Sequence, residues 1–274
     1  MSIIAERVKS GAARMGLELD DTAAQRFARY YDLLVGGNQK MNLTAVLEPE
    51  EAVDRHFLDS IAPAVLGLLP EGVKMVDVGT GAGFPGLPLL IARPDIQLTL
   101  VDSLNKRLEF LRGVLEELDL EAEIVHMRAE DFSRQPQYRE QFDLAAARAV
   151  ASVSPLMEYL LPCVKRGGAA ICWKGPDIVQ EAENARKAIF LLGGKAREPI
   201  AYQVPDEAIA DKIMQVTVLP RPTKVGLSKE FLDTDGTIIY AKLVNYLVED
   251  FCRNALIVGD LMLNSDHYNL ILSD

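Results

Sequence analysis

Cysteine is scarce in this chain: Cys163, Cys172 and Cys252 are the three among 274 residues, an odd number without metal-ligand spacing. A disulfide framework and a structural zinc site are therefore not expected, and a reducing cytoplasm fits this usage. Histidine is just as rare, at three. No metal spacing and no Ser-His-Asp arrangement is recognisable, so the expected metal content is none. No apolar run approaches the ~18 residues of a membrane span, and the start MSIIAERVKS lacks the basic region and apolar core of a signal peptide. The expectation is a soluble cytoplasmic protein with no membrane partner. Basic charge is short as well: 29 Lys and Arg stand against 40 Asp and Glu, for a net charge of −11. An overall nucleic-acid footprint is thus missing, and any RNA partner must meet a local patch. What is present, 49% hydrophobic and 25% charged residues, suffices for a globular protein with a sizeable core.

Apolar residues recur at helical spacing through the first seventy positions, as Ile4, Val8, Ala12, Met15, then Ala23, Phe27, Tyr30, Leu34, then Val53, Phe57, Ile61, Ala64, Leu68. Asp20 and the Glu48-Pro49-Glu50-Glu51 cluster mark helix starts, and Gly36-Gly37-Asn38 reads as a break. Residues 1–70 are thereby assigned to an N-terminal helical cap. From Val73 short apolar runs alternate with amphipathic stretches, the rhythm of βαβ units. Strands are expected at about 73–78, 96–101, 122–127, 142–147 and 169–173, with helices near 86–92, 104–118, 152–162 and 177–192. A final strand pair is expected at 197–204 and 212–219. The fold class is α/β, with residues 71–222 as a Rossmann-like domain and 223–274 as an acidic tail.

The first strand runs into VDVGTGAGFPGLPL (residues 76–89), a glycine-rich turn between strand and helix. Glycines there permit positive φ and close backbone approach, and the free N–H groups at the helix start attract an anion. Gly79, Gly81 and Gly83 accordingly form the floor of a ligand crevice at the carboxyl ends of the strands. The second strand ends in Asp102, where a carboxylate accepts ribose hydroxyls. Ala129, Glu130 and Asp131 follow the third strand, where an adenine would lie, and Arg148 ends the fourth on the same edge. GAGFPG also satisfies the dinucleotide pattern, so these residues leave two ligands open, NAD(P) and S-adenosylmethionine. Asp77 inside the strand end, the triplet of glycines, and Pro85 and Pro88 favour the second. An NAD(P)-dependent oxidoreductase remains an alternative, and so does a non-catalytic ribosome- or RNA-binding protein that retains a nucleoside pocket.

Taken together, NLTAV (residues 42–46), RHFLDS (55–60), the glycine motif, VDSLNKRLEFL (101–111), RAED (128–131), ARAVA (147–151) and WKG (173–175) resemble the RsmG (GidB) family, the bacterial 16S ribosomal RNA guanine-N7 methyltransferases. The resemblance spans roughly residues 20–222. It implies a class I methyltransferase fold with a mostly parallel seven-stranded sheet, S-adenosyl-L-methionine as cofactor, and methylation of guanine 527 in 16S ribosomal RNA. By position the cofactor residues implied are Gly79 and Phe84, Asp102 with Ser103 and Leu104, Ala129 with Glu130, and Arg148. Asn42, His56, Asp59 and Ser60 match family motifs in the cap, where Asn42, His56 and Asp59 are read with Arg148 as positioning residues; for His56 and Asp59 a hydrogen-bonded pair holding cap to sheet is the competing reading. The partner implied is 16S ribosomal RNA within a small-subunit particle; the oligomeric state is open, with a monomer as the default.

Two features depart from the family pattern. Gly37-Asn38 stands where a Trp-Asn pair is general, and the chain continues past Arg221-Pro222-Thr223-Lys224 into an acidic stretch instead of ending in a basic segment. Residues 227–274 carry Lys229, Lys242 and Arg253 against eight acids, with an amphipathic helix expected over 238–263. Basic residues along the crevice flank (Arg26, Arg29, Arg55, Arg128, Lys165, Arg166, Lys174, Arg186, Lys187) are candidates for a local positive path. Guanine N7 offers an in-plane lone pair, so in-line transfer needs no general base, and no catalytic base is assigned.

Overall fold

A computed structural model describes residues 2–148, 150–174, 178–205 and 211–219. The chain divides at Val218 into two units, and the expected tail helix lies outside the described residues. Within the first unit α1 (Ile3–Met15) and α2 (Asp21–Met41) begin at caps their sequence announces: Ser2 and Asp20 accept from the backbone N–H groups of Ala5 and Ala23. Pro49 opens α3 (Pro49–Ala52), and α4 (Asp59–Val65) follows after a π-helical turn over Val53–Leu58. That turn buries Val53, Asp54, His56, Phe57 and Leu58 together, more than one stripe of a regular helix presents.

The sheet strands are β1 (Lys74–Val78), β2 (Gln97–Asp102), β3 (Glu123–His126), β4 (Phe142–Arg148), β5 (Val164–Lys174), β6 (Gly194–Ala196), β7 (Ile200–Tyr202) and β8 (Asp211–Val218). Their order is β3-β2-β1-β4-β5-β8-β6, parallel through β5 and antiparallel at β8. β6 and β7 lie end to end on the same edge of β8, so eight strands fill a sheet seven positions wide. Pro199 explains the interruption, because it has no N–H to offer the ladder between them. The connecting helices are α5 (Gly86–Ala92), α6 (Asn105–Leu118), α7 (Ala129–Phe132), α8 (Val153–Leu160) and α9 (Ile178–Leu191). β5 is longer than its apolar core suggests: its register against β4 shifts after Val164, and Gly167, at φ 83°, accommodates the irregularity.

Helices and sheet share their packing. Phe27, Tyr30 and Leu34 of α2 and Phe57 of the π turn belong to the same buried cluster as Leu87, Leu100 and Leu111 on one face of the sheet. A second cluster on the other face gathers Val76, Val101, Ala145, Leu156 and Ile189. No helix among the described residues is long and apolar enough to cross a membrane.

The expected break at Gly36-Gly37-Asn38 does not occur. α2 continues to Met41 and ends at Asn42, which takes the left-handed conformation at φ 48°. Gly37 instead serves close packing: a Cβ there would stand 2.8 Å from Cε2 of Phe110 on α6, whereas one at Gly36 meets nothing within 4 Å. Asn38 accepts from the Thr44 backbone N–H at 2.8 Å, fixing the turn that follows. The two glycines therefore differ in sign on substitution. Gly36→Ala should stabilise by about 0.5–1 kcal/mol, as for a helix interior. Gly37→Leu should destabilise by about 1–3 kcal/mol through overpacking. Urea denaturation of the two variants checks both.

Candidate functional site

The carboxyl ends of β1 to β4 bring the expected crevice residues together. Gly79, Gly81 and Gly83 all have positive φ, at 72°, 61° and 108°. At Gly79 a Cβ would come within 2.7 Å of Val150, and at Gly83 within 2.5 Å of the Tyr30 hydroxyl, so both positions also require the absence of a side chain. The backbone N–H groups of Gly79 and Thr80 donate to the Val101 carbonyl at 2.8 and 3.0 Å, which hangs the loop on the end of β2. Asp102, buried, locks it there: its carboxylate accepts from the N–H of Gly81 at 3.0 Å and of Leu104 at 2.8 Å, with Arg107 at 3.5 Å. Oδ1, which takes only the Leu104 N–H, keeps a lone pair for a further donor, whereas Oδ2 already receives both Gly81 and Arg107.

Asp77 is the loop's inner anchor, visible in the motif yet absent from the expected site residues. Its Oδ2 accepts from Thr80 Oγ1 at 2.7 Å and from the Gly86 N–H at 2.9 Å, while Oδ1 is buried without a partner. Burial pushes its pKa up to about 6, against the Thr80 and Gly86 hydrogen bonds that hold it down.

Two apolar side chains stand exposed beside this polar floor, Leu104 at 52% and Val150 at 38%. Val150 lies within the ARAVA motif yet is absent from the expected site residues; its contact with Gly79 is what places it here. Ser103 is exposed, and its carbonyl accepts from His126 Nε2 at 3.0 Å. Ala129 and Glu130 sit on α7 just past β3, where Glu130 accepts from the Tyr159 hydroxyl at 3.4 Å.

The second half of the site is built on Phe84. His56 stacks on its ring with centroids 4.5 Å apart and 14° between planes, and the Arg148 guanidinium carbon stands 5.1 Å from the ring centroid. Arg148 Nη1 donates to Asp59 Oδ2 at 2.6 Å and to the Arg55 carbonyl at 2.9 Å. Asp59 in turn accepts from the Tyr202 hydroxyl at Oδ1, and its backbone carbonyl accepts from Trp173 Nε1 at 3.0 Å. His56 and Asp59 thus act separately: His56 Nε2 shares a 2.8 Å hydrogen bond with Thr44 Oγ1, and Ser60 Oγ donates to the His56 carbonyl. Burial, with the Arg148 charge second, lowers the His56 pKa to about 4. Asn42 is exposed at the end of α2.

The expected positive path is largely neutralised by pairing. Arg29 meets Glu117, Arg55 meets Glu51, Lys165 meets Asp143, Arg166 meets Glu140 and Arg186 meets Glu183, while Arg26 donates to the Asp119 carbonyl. Arg128, at the entrance of α7, is exposed beside the crevice. A groove of about 810 Å³ lined by Arg7, Asp32, Glu48 and Asp54 lies on α1 to α3, not at the strand ends that carry this site.

The model of the GidB family, described as rRNA small subunit methyltransferase G, matches residues 23–207. The chain belongs to this family. It is 46% identical over 219 residues to the ribosomal RNA small subunit methyltransferase G of Alkaliphilus metalliredigens, covering 79% of this chain and 92% of that protein. The protein of the same name from Lactococcus lactis subsp. cremoris is 44% identical over 192 residues, covering 69% of this chain and 81% of that one. Among solved structures, the branched-chain polyamine synthase from Thermus thermophilus, in complex with N4-aminopropylspermidine and 5′-methylthioadenosine, superposes with a TM-score of 0.51 at 11% identity, over 70% of this chain and 64% of that one. The likeness there is one of fold. With the strand order above, the GidB-family chain has the Rossmann-like fold of the class I methyltransferases.

His56 and Asp77 impose opposite pH dependences. His56 is neutral when folded and protonates more readily when unfolded, so stability falls as pH drops from 6.5 toward 4, by about 3 kcal/mol for that one group. Asp77, raised from 3.8 to about 6, makes stability fall as pH rises across that interval. In urea titrations His56→Gln should lose the acid-side decline relative to the parent, and Asp77→Asn should gain on the parent between pH 4 and 7. Parallel pH curves for parent and variants would contradict both assignments.

Proposed function

We propose that the protein transfers the methyl group of S-adenosyl-L-methionine to N7 of a guanine in 16S ribosomal RNA, guanine 527 by the motif resemblance, within a small-subunit particle. The reading is carried by one observation: in a chain of the rRNA small subunit methyltransferase G family, the buried Asp102 carboxylate closes onto the Gly81 N–H and holds open a glycine loop flanked by exposed Leu104 and Val150. That cradle fits an adenosine with a free ribose edge. The fit is tested by the glycines, since a Cβ at Gly79 would strike Val150, and by the unpartnered Asp77 Oδ1, buried beneath the loop. Bound there, the sulfonium supplies an electrophilic methyl group.

In this reading Gly79, Gly81 and Gly83 admit the backbone close to the cofactor. Asp102 takes the ribose hydroxyls, and Leu104, Val150, Ala129 and Glu130 border the adenine. Phe84, itself buried, is the seat on which His56 stacks and over which Arg148 stands, and the Arg148 guanidinium is the cationic plane turned toward an unpaired RNA base. His56, neutral near pH 7 and buried, backs the Phe84 ring without placing a second positive charge beside Arg148. N7 carries a lone pair in the ring plane and no proton, so none of these residues has to remove one. Their contribution is to hold acceptor and methyl in line, an effect worth up to about 7–11 kcal/mol when the geometry is rigid. The acidic net charge favours a particle over naked RNA as substrate, because a folded particle presents shape where phosphate attraction is weak.

The deciding experiment incubates labelled S-adenosylmethionine with small subunits that lack the modification and maps the product by cleavage at 7-methylguanine. A single labelled guanine in 16S ribosomal RNA is the expected result; cofactor binding without label would overturn the substrate, and NAD(P) binding in its place would overturn the reaction. Arg148→Lys keeps the charge and loses the planar fork, and should lower the transfer rate by about tenfold.

A further inference from the structure

Asp59 is a junction of four chain segments that are remote in sequence. Its carboxylate holds Arg148 of β4 on one oxygen and the Tyr202 hydroxyl of β7 on the other, and its carbonyl takes the Trp173 indole N–H of β5. Arg148 and Asp59 are both mostly buried, with side chains 15% and 14% exposed, so the pair is little screened by solvent. Nη1 is the only Arg148 nitrogen with a partner among the described residues, bound to Asp59 and the Arg55 carbonyl; Nη2 and Nε carry none. The bonded edge therefore fixes the plane and height of the guanidinium over Phe84, and the open edge is what a ligand meets. The pose of Arg148 is then only as definite as that of Asp59, and among the described residues Tyr202 is the one side chain that fixes the other oxygen of that carboxylate.

We propose that Tyr202 is a positioning residue for the methyl-transfer reaction, acting through Asp59 to hold Arg148 in register with the substrate base. The inference rests on the reading given under Proposed function. Tyr202 lies on a short strand at the far edge of the sheet, and no motif marks it. Its role is to remove rotational freedom from a carboxylate that would otherwise choose among several geometries with the guanidinium. The hydroxyl oxygen takes no part in bond making, and no proton leaves it.

Tyr202→Phe keeps the ring, buried in the core, and removes only the hydroxyl. At saturating cofactor and small subunits the turnover should fall about tenfold, as for loss of a hydrogen bond to a charged group, while S-adenosylmethionine affinity stays close to that of the parent and the thermal midpoint drops by only a few degrees. In an Arg148→Lys background the same substitution should leave the already lowered rate unchanged, since the fork that Asp59 orients is gone. Equal losses in both backgrounds would overturn the proposal, as would parental turnover for Tyr202→Phe. A loss of cofactor affinity in step with the thermal midpoint would likewise overturn it in favour of a purely structural role. If the parent itself transfers no methyl group while binding the cofactor, it is the substrate reading that fails, and this proposal falls with it.

Discussion

The Asp59 carboxylate is bonded to an arginine from the sheet and a tyrosine from its edge, and the arrangement of the helices over the crevice depends on that one group. Asp59 opens α4, directly after the π turn that carries His56 and Phe57 into the core. Remove the carboxylate and Arg148 is left mostly buried with its charge uncompensated, a state that costs several kcal/mol more than the pair itself contributes. The electrostatic joint and the apolar packing are complementary. Phe57 sets the helices against Phe84 by apolar contact alone, whereas the Tyr30 hydroxyl, which donates to the Ala82 carbonyl, and the Asp59 bonds add direction to that contact.

The glycine loop obeys a different constraint, backbone geometry under two acids. Asp102 grips it from β2 through Gly81, and Asp77 grips it from below through Thr80 and Gly86. Gly86 is as constrained as the loop glycines, for a Cβ there would stand 2.9 Å from Asp77 Oδ2. Both carboxylates spend hydrogen-bonding capacity on the protein, and what remains is one buried lone oxygen on Asp77 and the free lone pair of Asp102 Oδ1. A raised Asp77 pKa follows from that economy of donors, since two bonds do not repay full burial of a charge.

How much of this is legible in the sequence follows from the range over which each feature is determined. The strands, α6 and the glycine loop are set by residues within a turn or two of one another, and periodicity finds them. The same is true of Asp102 at the end of β2. Gly37 is ambiguous in the sequence because a helix-breaking residue and a packing notch look alike until Phe110 is placed beside it. The same holds for the paired arginines: Arg29 and Glu117 are 88 positions apart and neutralise each other only in the fold. Arg148 and Asp59 are each marked by motifs, yet their 2.6 Å contact spans 89 positions, and the Tyr202 link spans 143. Long-range polar contacts leave no periodic trace, so residues are legible where their partners are not.

A methyl transfer to an unprotonated ring nitrogen, the reaction proposed here, asks the protein for no acid and no base. It asks for two surfaces held at fixed separation, one for the nucleoside cofactor and one for the base. The first is rigid because it is backbone, pinned by Asp77 and Asp102 to two adjacent parallel strands. The second is made of side chains from a helix pair, a loop and a strand end, which have many more ways to be wrong. Phe84 ties the two together, since it belongs to the glycine loop and is also the ring on which His56 and Arg148 rest. In the proposed reaction, specificity for a base would be written in the least local part of the fold, and the bonds around Asp59 would bear on the rate through the pose of Arg148.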